Sequence, residues 1–403
     1  MARMFTPTYT DAVTRLAAFT PHAGRDYAAM RNHDDIAHVS ALSPYIRHRI
    51  ITEADVLRAV LARHSPQAAE KFVQEVFWRT YWKGWLELRP TVWANYQRDL
   101  AAAMNQIQTQ AGLRAQWETA CLGQTGIDGF DHWARQLADT GYLHNHARMW
   151  FASIWIHTLK LPWVLGADFF LRHLLDGDAA SNTLSWRWVG GIQTQGKAYL
   201  AQPDNIAKYT QGRFRPEGLA QVAAALPCPP HPDRGPMPVS AIIDPAKPTG
   251  LIVTEDDLSP GWLLDKVAPV ATAFVQTTDR RSPLQVAPMV TDFVAAAMRD
   301  CHTRFADRLG RVSVISADAL PDWRKAEGLD QVVLAHPPAG PTADALRHID
   351  ALRVLRAYDL DAWPHATHGF FRFKDAIPKL LGGIKGWRCC DRSALRSPLA
   401  GIA

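Results

Sequence analysis

A proline-rich stretch divides this chain of 403 residues into two parts of different character. Residues 1–225 contain few β-rich runs, and their apolar residues recur at helical spacing, which predicts an all-α domain. Residues 226–249 hold the proline-rich stretch, which favours extended chain and is interpreted as an interdomain linker. In residues 250–403, short apolar runs alternate with helical stretches. We therefore expect a multidomain fold in which the all-α domain precedes a small parallel-sheet α/β domain.

The hydrophobic patterns also predict where the main helices and strands lie. Helices are expected over 8–20, 52–90, 91–105, 128–140, 143–160, 166–175 and 285–309. Strands are expected at Leu251–Val253, Ala271–Val275, Val312–Ile315 and Gln331–Leu334. The second domain has neither a GxGxxG nor a GxxxxGKS/T pattern, so its own sequence names no ligand.

Composition places the chain among ordinary globular proteins, with 47% hydrophobic and 21% charged residues. No apolar run is long enough to cross a membrane, and residues 1–9 lack an apolar signal core, so the expected location is the cytoplasm. The five cysteines include no CxxC pair, which argues against a disulfide framework or a metal–thiolate site. The net charge of +5 is by itself weak evidence for nucleic-acid binding.

One short stretch in the middle of the chain concentrates acids, an amide and indoles. Asp176 and Asp178 are separated by one glycine, Asn182 follows, and Trp186 and Trp188 flank an arginine. Acid and amide groups can hydrogen-bond a polar heterocycle, while tryptophan can stack on a ring or carry an electron. A buried core gains little from so many polar groups, because each one needs a partner. The alternative interpretation is a polar turn before a short buried segment.

Other clusters carry candidate chemistry of their own. Tyr27 and Arg31 share a helix face and, with Ser40 and Ser43, could hold an anion, although such residues more often form caps and turns. A second cluster lies on adjacent helical turns and could form either a structural ion pair or a ligand contact. Its members are Glu75, Trp78, Arg79 and Trp82. A third is the HxH pair at 144 and 146, for which no third ligand is evident, so no metal site is predicted.

Four blocks of the first part form a specific set when they are taken together. They are Leu42–Tyr45, Trp78-Arg79, Gly141–Met149 and Asp176–Trp188. Their order and spacing strongly resemble those of the FAD-binding domain of the DNA photolyase/cryptochrome family. The resemblance covers about residues 8–215, and is closest to the photolyases that act on cyclobutane pyrimidine dimers.

The resemblance implies an all-α domain that holds FAD folded, with adenine close to isoalloxazine. The implied FAD contacts are Tyr27, Arg31, Ser40, Ala41, Leu42, Ser43, Arg79, Arg148, Asp176, Asp178 and Asn182. Among these, Tyr27 and the turn at 40–43 look like contacts to the diphosphate and ribityl groups. Arg148 and Asp176 look like the ion pair beside the isoalloxazine, and Asn182 looks like the residue that faces flavin N5. Whether a second, antenna chromophore binds is left open.

The resemblance also implies a pocket for damaged DNA. The implied lesion contacts are Glu75, Trp78, Asn145, His146, Met149 and Trp188. A flipped-out pyrimidine dimer would receive an electron from excited reduced FAD, the cyclobutane ring would split, and the electron would return. A (6-4) lesion is a lesser alternative that would use a histidine.

Three residues are implied to take part in electron transfer. Asn182 faces flavin N5, while Trp186 and Trp163 resemble the inner and middle members of the family's photoreduction chain of tryptophans. The outer tryptophan has no counterpart at the expected place, and Trp150 and Trp155 are the substitutes that the sequence offers.

Two departures from the family pattern lower the expected affinity for DNA. His146 and Ala201 stand where the family usually has arginine. Loss of these charges reduces phosphate binding, which leaves single-stranded damaged DNA as an alternative to duplex.

The domain order is also reversed, because photolyases ordinarily begin with the α/β antenna domain. Thr254–Leu258 resembles a worn form of the family's opening turn, and Phe370–Phe373 resembles the segment that closes the antenna domain. A circular permutation is the hypothesis, and an unrelated fused α/β domain is the alternative. Two functions from different classes follow for the whole chain: a light-driven photolyase, or a cryptochrome-like blue-light receptor without repair activity. A third option is a flavoprotein whose α/β domain only scaffolds it.

Overall fold

The computed structural model describes residues 4–386. The rest of the predicted second domain, residues 387–403 with Cys389 and Cys390, lies outside the described residues, as do residues 1–3. A helical part comes first, and a five-stranded parallel sheet flanked by helices follows it. The predicted fold class is therefore confirmed. Within the described residues, no helix is both long and apolar enough to cross a membrane.

The helical part contains helices α1 to α12. Their bounds are Tyr9–Phe19, Arg25–Met30, Ser43–Arg47, Glu53–Leu61, Glu70–Glu87, Thr91–Thr109, Ala111–Cys121, Phe130–Thr140, Asn145–Ser153, Trp163–His173, Ala179–Val189 and Pro203–Tyr209. After α9 the chain continues as a π-helical turn over Ile154–Thr158. Side-chain caps fix several helix starts, such as the capping box that Thr52 and Asp55 form at α4.

The α/β part contains strands β1 to β5 and helices α13 to α19. The strands are Thr249–Thr254, Ala271–Val275, Arg311–Val314, Gln331–Ala335 and Leu352–Val354. The helices are Gly261–Leu264, Pro288–Phe305, Leu320–Ala326, Pro341–Ala345, Ala357–Ala362, Phe370–Lys374 and Ile377–Gly386. All strand pairs are parallel, and the order across the sheet is β3-β2-β1-β4-β5. The four predicted strand runs lie in this sheet except for Ile315, which follows the end of β3, whereas β5 was not predicted.

The segment between the two parts, residues 226–248, contains no helix or strand. β1 begins at Thr249, the last residue of the stretch that was interpreted as a linker. The domain boundaries themselves stay predictions.

The two faces of the sheet belong to different hydrophobic clusters. Leu251 and Val253 join the large cluster that also contains the core of the helical part. Ile252, between them, belongs to a smaller cluster on the other face with Ala273 and Leu334. This alternation is the period-two pattern of a strand, and it seats one face of the sheet against the helical part.

Candidate functional site

Two adjoining cavities lie in the helical part, one of about 370 Å³ and the other of about 470 Å³. Six residues line both of them: Arg31, Glu75, Asn145, Arg148, Met149 and Asp176. The first cavity is also lined by the predicted residues Tyr27, Ser40, Ala41, Leu42, Ser43 and His146. The second is also lined by Trp78, Arg79, Asp178, Asn182, Trp186 and Trp188. The structure thus brings the predicted residues together around one joined space, and Trp163 lies outside both linings.

A sharp turn and a short helix form one wall of the first cavity. Ala41 has a φ of 50°, in the left-handed region, two residues before the start of α3. Tyr27 lies opposite, with the edges of Phe19 and Phe72 against its ring at 5.8 and 5.3 Å. Burial raises the pKa of Tyr27, so its hydroxyl keeps its proton and can donate a hydrogen bond.

An ion pair bridges the two cavities. Arg31 on α2 donates a hydrogen bond to the carboxylate of Glu75 on α5. The two residues are 44 positions apart, so this pair could not be predicted from helical spacing. Glu75 therefore has a guanidinium partner at the place where the sequence predicted a contact to a lesion.

The loop between α10 and α11 carries the first of the predicted acids. Arg148 Nη2 donates to Asp176 Oδ2 at 2.9 Å. Burial by itself raises the pKa of Asp176, but the charge and hydrogen bond of Arg148 outweigh it, and the net pKa is below the ordinary value. Asp176 is therefore an anion. Its other oxygen, Oδ1, is buried without a hydrogen-bond partner among residues 4–386.

Asp178 is the N-cap of α11 and also the centre of a buried charge cluster. Its Oδ1 accepts from the backbone N–H of Ser181 at 2.8 Å. Its Oδ2 lies 3.2 Å from Lys83 Nζ, 3.6 Å from Arg79 Nη2 and 3.8 Å from Arg47 Nε. Burial opposes ionisation, but these cations, Lys83 first, outweigh it and hold the pKa of Asp178 well below its ordinary range. One carboxylate is thus shared by three cations.

Asn182 is held with its amide in a fixed orientation. Its Nδ2 donates to the backbone carbonyl of Ala167 at 2.8 Å. Since this hydrogen bond fixes the amide nitrogen toward Ala167, the amide oxygen can accept from a ligand in the cavity that Asn182 lines. The side chain therefore offers an acceptor, as the predicted role at flavin N5 requires.

Trp186 is nearly inaccessible, with 2% of its surface exposed. Its ring meets Phe170 and Trp155 edge to face, with centroids 5.1 and 6.2 Å away. Trp163, in contrast, has its ring contact with Tyr96 at 5.8 Å. The indole in direct contact with Trp186 is thus Trp155, one of the two substitutes that the sequence offered for the outer position. The electron-transfer roles stay predictions.

The outer side of the second cavity is aromatic. Trp78 stacks on Phe370 of α18, with ring centroids 3.6 Å apart. Trp188 stacks on Tyr199 at 5.6 Å. Asn145 Nδ2 lies 3.9 Å from the sulfur of Met149, one helical turn on. An apolar wall with a few polar groups suits an unstacked base.

Arginine was expected at positions 146 and 201. His146 is partly buried there, and Ala201 is buried. The His146 ring stacks on Trp150 at 4.1 Å, and its Nδ1 lies 2.9 Å from the carbonyl oxygen of Asn32. Burial lowers the pKa of His146, so the ring is neutral near pH 7. Ala201 is buried, and its N–H donates to Ser153 Oγ at 2.8 Å. Neither position supplies a positive charge at neutral pH.

The second cavity fits a polar heterocycle such as the flavin ring. Besides Asp176 Oδ1, three further residues that line it have polar atoms buried without a hydrogen-bond partner in the described chain: Arg79 (Nε and Nη2), Ser181 (Oγ) and Trp186 (Nε1). The ion contacts of Arg79, to Glu53 and Asp178, measure 3.7 and 3.6 Å and are too long for hydrogen bonds. Unmatched donors and acceptors in one cavity indicate a polar ligand, because burying such groups without partners is costly.

Comparisons with known proteins show what the helical part is similar to. Residues 72–214 match the family described as the FAD binding domain of DNA photolyase. This part of the chain thus resembles a FAD-binding domain of the photolyase type.

Curated relatives agree with that family. The deoxyribodipyrimidine photo-lyase of Streptomyces griseus is 32% identical over 203 residues, which cover 47% of this chain and 43% of the relative. That of Thermus thermophilus is 33% identical over 196 residues, or 47% of this chain and 44% of the relative. The chain matches less than half the length of these relatives. A class III photolyase from Agrobacterium tumefaciens has a similar structure, with 26% identity, a TM-score of 0.43 and coverage of 51% of this chain and 43% of that one. The resemblance to the photolyase/cryptochrome family is confirmed.

Sequence reasoning missed several residues that contact the site. Lys83 lies one turn after Arg79 on α5, so helical spacing places both on one face and could have revealed it. Arg47 follows the recognised 42–45 block by two residues. Phe370 and Asp256 come from the α/β part, and their contacts to the site follow only from the tertiary structure.

Proposed function

We propose that the two joined cavities bind FAD. The observation that carries this proposal is the convergence of the predicted FAD contacts on one space in a part of the chain that resembles a FAD-binding domain of the photolyase type. Tyr27, Arg31 and the turn at 40–43 offer hydroxyl, guanidinium and backbone donors to a diphosphate in the first cavity. Asp176, Asp178 and Asn182 line the second cavity, where the isoalloxazine would lie.

We further propose that the activity is the light-driven splitting of cyclobutane pyrimidine dimers in DNA. Bound FAD supplies the light absorption and the electron that this reaction needs. The protein residues do the positioning. Asn182 offers an acceptor for an N–H on the ring, and the Arg148–Asp176 pair keeps a fixed anion beside it. No side chain needs to act as a general acid or base.

The aromatic wall would receive the flipped-out dimer. Trp78 and Trp188 offer ring faces to the lesion, and Asn145 offers an amide to its carbonyl and imide groups. Glu75 could accept from an imide N–H once its contact with Arg31 is exchanged for one to the lesion. The absence of positive charge at His146 and Ala201 supports single-stranded DNA as the better substrate. A cytoplasmic location stays part of this proposal.

Blue-light incubation of the reduced protein with dimer-containing single- and double-stranded DNA tests the repair function. We expect light-dependent loss of dimers, faster on single strands. Trp188→Ala, which changes only the lesion side, should lower repair and leave the FAD content unchanged. If no dimers are lost on either substrate while FAD is bound, repair is refuted.

A cryptochrome-like receptor is the second candidate. The observation that favours it is the pairing of Glu75 with Arg31, which engages the acid expected to bind the lesion. A protein of this kind would undergo light-dependent reduction of FAD through Trp186 but would repair no DNA. The repair assay and the absorption spectrum, measured together, separate the two candidates.

We also propose that the α/β part is the antenna-type domain in permuted order. The strand order β3-β2-β1-β4-β5 is that of a doubly wound nucleotide-binding sheet, which supports a shared architecture. An experimental structure compared strand by strand with a conventional antenna domain tests this proposal, and a different strand order in that domain would contradict it.

A further inference from the structure

Side chains from other parts of the chain hold the loop that carries Asp176 by contacting its backbone carbonyl oxygens. We call residues 174–178, which connect α10 to α11, the floor loop. Asp176 and Asp178 project from it into the second cavity. Three of its carbonyl oxygens, at positions 174, 175 and 177, contact side chains from elsewhere in the chain. The position of both acids therefore depends on what holds those side chains.

The first connection runs through Arg47. Its Nε donates to the carbonyl oxygen of Gly177 at 2.7 Å, and its Nη1 donates to the carboxylate of Asp256. Asp256 directly follows Glu255 after β1, in the α/β part. Arg47 and Asp256 are both buried, with 4% and 6% of their surfaces exposed. Removing one partner of such a buried ion pair is strongly destabilising, so Asp256 helps to fix the side chain of Arg47.

Two further connections run through Glu255. Its Oε1 lies 3.1 Å from Nη2 of Arg281, whose Nη1 donates to the carbonyl oxygen of Leu174 at 3.3 Å. Its backbone oxygen lies 2.8 Å from Nδ1 of His48, and His48 Nε2 lies 3.2 Å from the carbonyl oxygen of Leu175. The carbonyls of Leu174 and Gly177 are thus hydrogen-bonded to arginines that pair with Glu255 and Asp256. Burial lowers the pKa of His48, so its neutral ring has one N–H, which donates to the carbonyl of either Leu175 or Glu255.

Those two residues occupy a particular place in the sheet. In the order β3-β2-β1-β4-β5, the strands after β1 are added first on one side of it and then, from β4, on the other, so the strand order reverses between β1 and β4. Doubly wound folds usually bind ligands beyond the carboxyl ends of the strands at such a point. In this protein the place is packed with protein atoms. Glu255 Oε2 accepts from Thr277 N and Thr278 Oγ1 at 3.0 and 2.7 Å. A Cβ on Gly340, after β4, would lie 2.8 Å from the Cβ of Ala179 at the start of α11.

We propose that Glu255 and Asp256 are positioning residues for the FAD site. The carboxyl end of β1 holds the floor loop, and thereby Asp176 and Asp178, in the geometry that binds the isoalloxazine. This inference rests on the proposed binding of FAD. The place where a sheet of this kind usually binds its own ligand serves here to shape the ligand site of the helical part.

Asp257 offers a matched control within the same acidic run. It is also buried, but its side chain is hydrogen-bonded within the α/β part: to Arg356 Nε at 2.7 Å, Trp262 Nε1 at 3.0 Å and the N–H of Ser259 at 3.1 Å. Asp257→Asn therefore removes a buried charge of the same type without releasing the floor loop. It controls for a general loss of stability.

The test compares Glu255→Gln, Asp256→Asn and Asp257→Asn with the wild-type protein. Each full-length protein is purified, and its affinity for added FAD, its visible flavin spectrum and its thermal unfolding are measured. We expect Asp256→Asn and Glu255→Gln to bind FAD about tenfold more weakly, which corresponds to about 1.4 kcal/mol, and to shift the flavin spectrum. Asp257→Asn should bind FAD as the wild type does, even where it unfolds at a lower temperature.

Arg47→Lys keeps the charge beside Asp256 and removes the Nε donor to the carbonyl of Gly177, so it provides a second variant if Asp256→Asn does not fold. It too should weaken FAD binding. If the wild type binds no FAD, the proposed function fails, and this inference fails with it. If the wild type binds FAD and the variants at 47, 255 and 256 bind it equally well, or no worse than Asp257→Asn, the inference alone is overturned.

Discussion

Trp78 and Phe370 lie face to face, with ring centroids 3.6 Å apart and ring planes 12° apart. Trp78 belongs to α5 and lines the second cavity, whereas Phe370 opens α18 in the α/β part. Phe370 is buried, while the next residue, Phe371, has 83% of its surface exposed. The wall of the proposed lesion pocket is therefore backed by a residue from the other part of the chain.

Phe370→Ala should destabilise the protein by about 3–5 kcal/mol, because it removes a buried aromatic ring and leaves a cavity. It should also slow dimer repair, since Trp78 loses the ring that fixes its plane. Urea unfolding and the repair assay check these effects. The control is Phe371→Ala, which should change stability by no more than about 0.5 kcal/mol. Equal effects of the two substitutions would contradict the supporting role of Phe370.

Gly166→Ala should disturb the contact between Trp186 and Trp155. A Cβ at this position would lie 2.3 Å from Cη2 of Trp186 and 2.9 Å from Cε2 of Trp155, so one indole must move. We expect a loss of about 1–3 kcal/mol of stability from overpacking, together with slower light-driven reduction of bound FAD. Transient absorption measures the second effect. Gly112→Ala, with no atom within 4 Å of the new Cβ, is the control. Unchanged photoreduction in Gly166→Ala would show that this contact carries no electron.

Asp256 should make the stability of the protein sensitive to acid. Burial raises its pKa, but Arg47 and Lys83 outweigh burial and lower the pKa from 3.8 to about 2. Because the folded pKa is the lower one, the stabilisation is complete above about pH 4 and is lost as the pH falls toward about 2, amounting to about 2 kcal/mol. Urea unfolding across this range should show a smaller acid-dependent loss in Asp256→Asn than in the wild type. Parallel pH profiles would contradict the prediction.

His146→Arg should strengthen binding to duplex DNA. The guanidinium can stack on Trp150 as the imidazole does, and it adds a positive charge that the neutral ring lacks. We expect tighter binding at low salt and a salt-dependence slope steeper by about one phosphate contact. His348→Arg adds the same charge at an exposed position of the α/β part and should leave the slope unchanged. If both variants bind DNA alike, position 146 does not face the DNA backbone.

The strands show what local sequence can and cannot predict. β1 and β2 were found because each contains a short run of mostly apolar residues that includes β-branched or aromatic side chains. β5 was missed because it has only three residues with an arginine in the middle, and its place at the edge of the sheet comes from pairing with β4. Edge strands of this length carry too little pattern to stand out from a loop.

The residues of the site likewise include some that local sequence predicts and others that it cannot. Asp176, Asn182 and Trp186 were predicted because they lie in one short recognisable block, and the structure places them all around the second cavity. The partners that hold the site could not be predicted, since Arg31 meets Glu75 across 44 positions and Arg47 meets Asp256 across 209. Such pairs depend on how the helices and the sheet pack, which neither spacing nor local composition records.

Because three cations share Asp178, truncation of this protein has a cost in stability. Removing the α/β part would leave Arg47 without Asp256, so its remaining carboxylate neighbour would be Asp178, which Arg79 and Lys83 also share. Buried cations without counterions are strongly destabilising. A fragment that ends before β1 would therefore be a poor minimal flavoprotein, even though it contains every residue expected to touch the cofactor. Anyone who engineers a compact light-driven enzyme from this chain would have to keep the sheet or rebuild that missing negative charge.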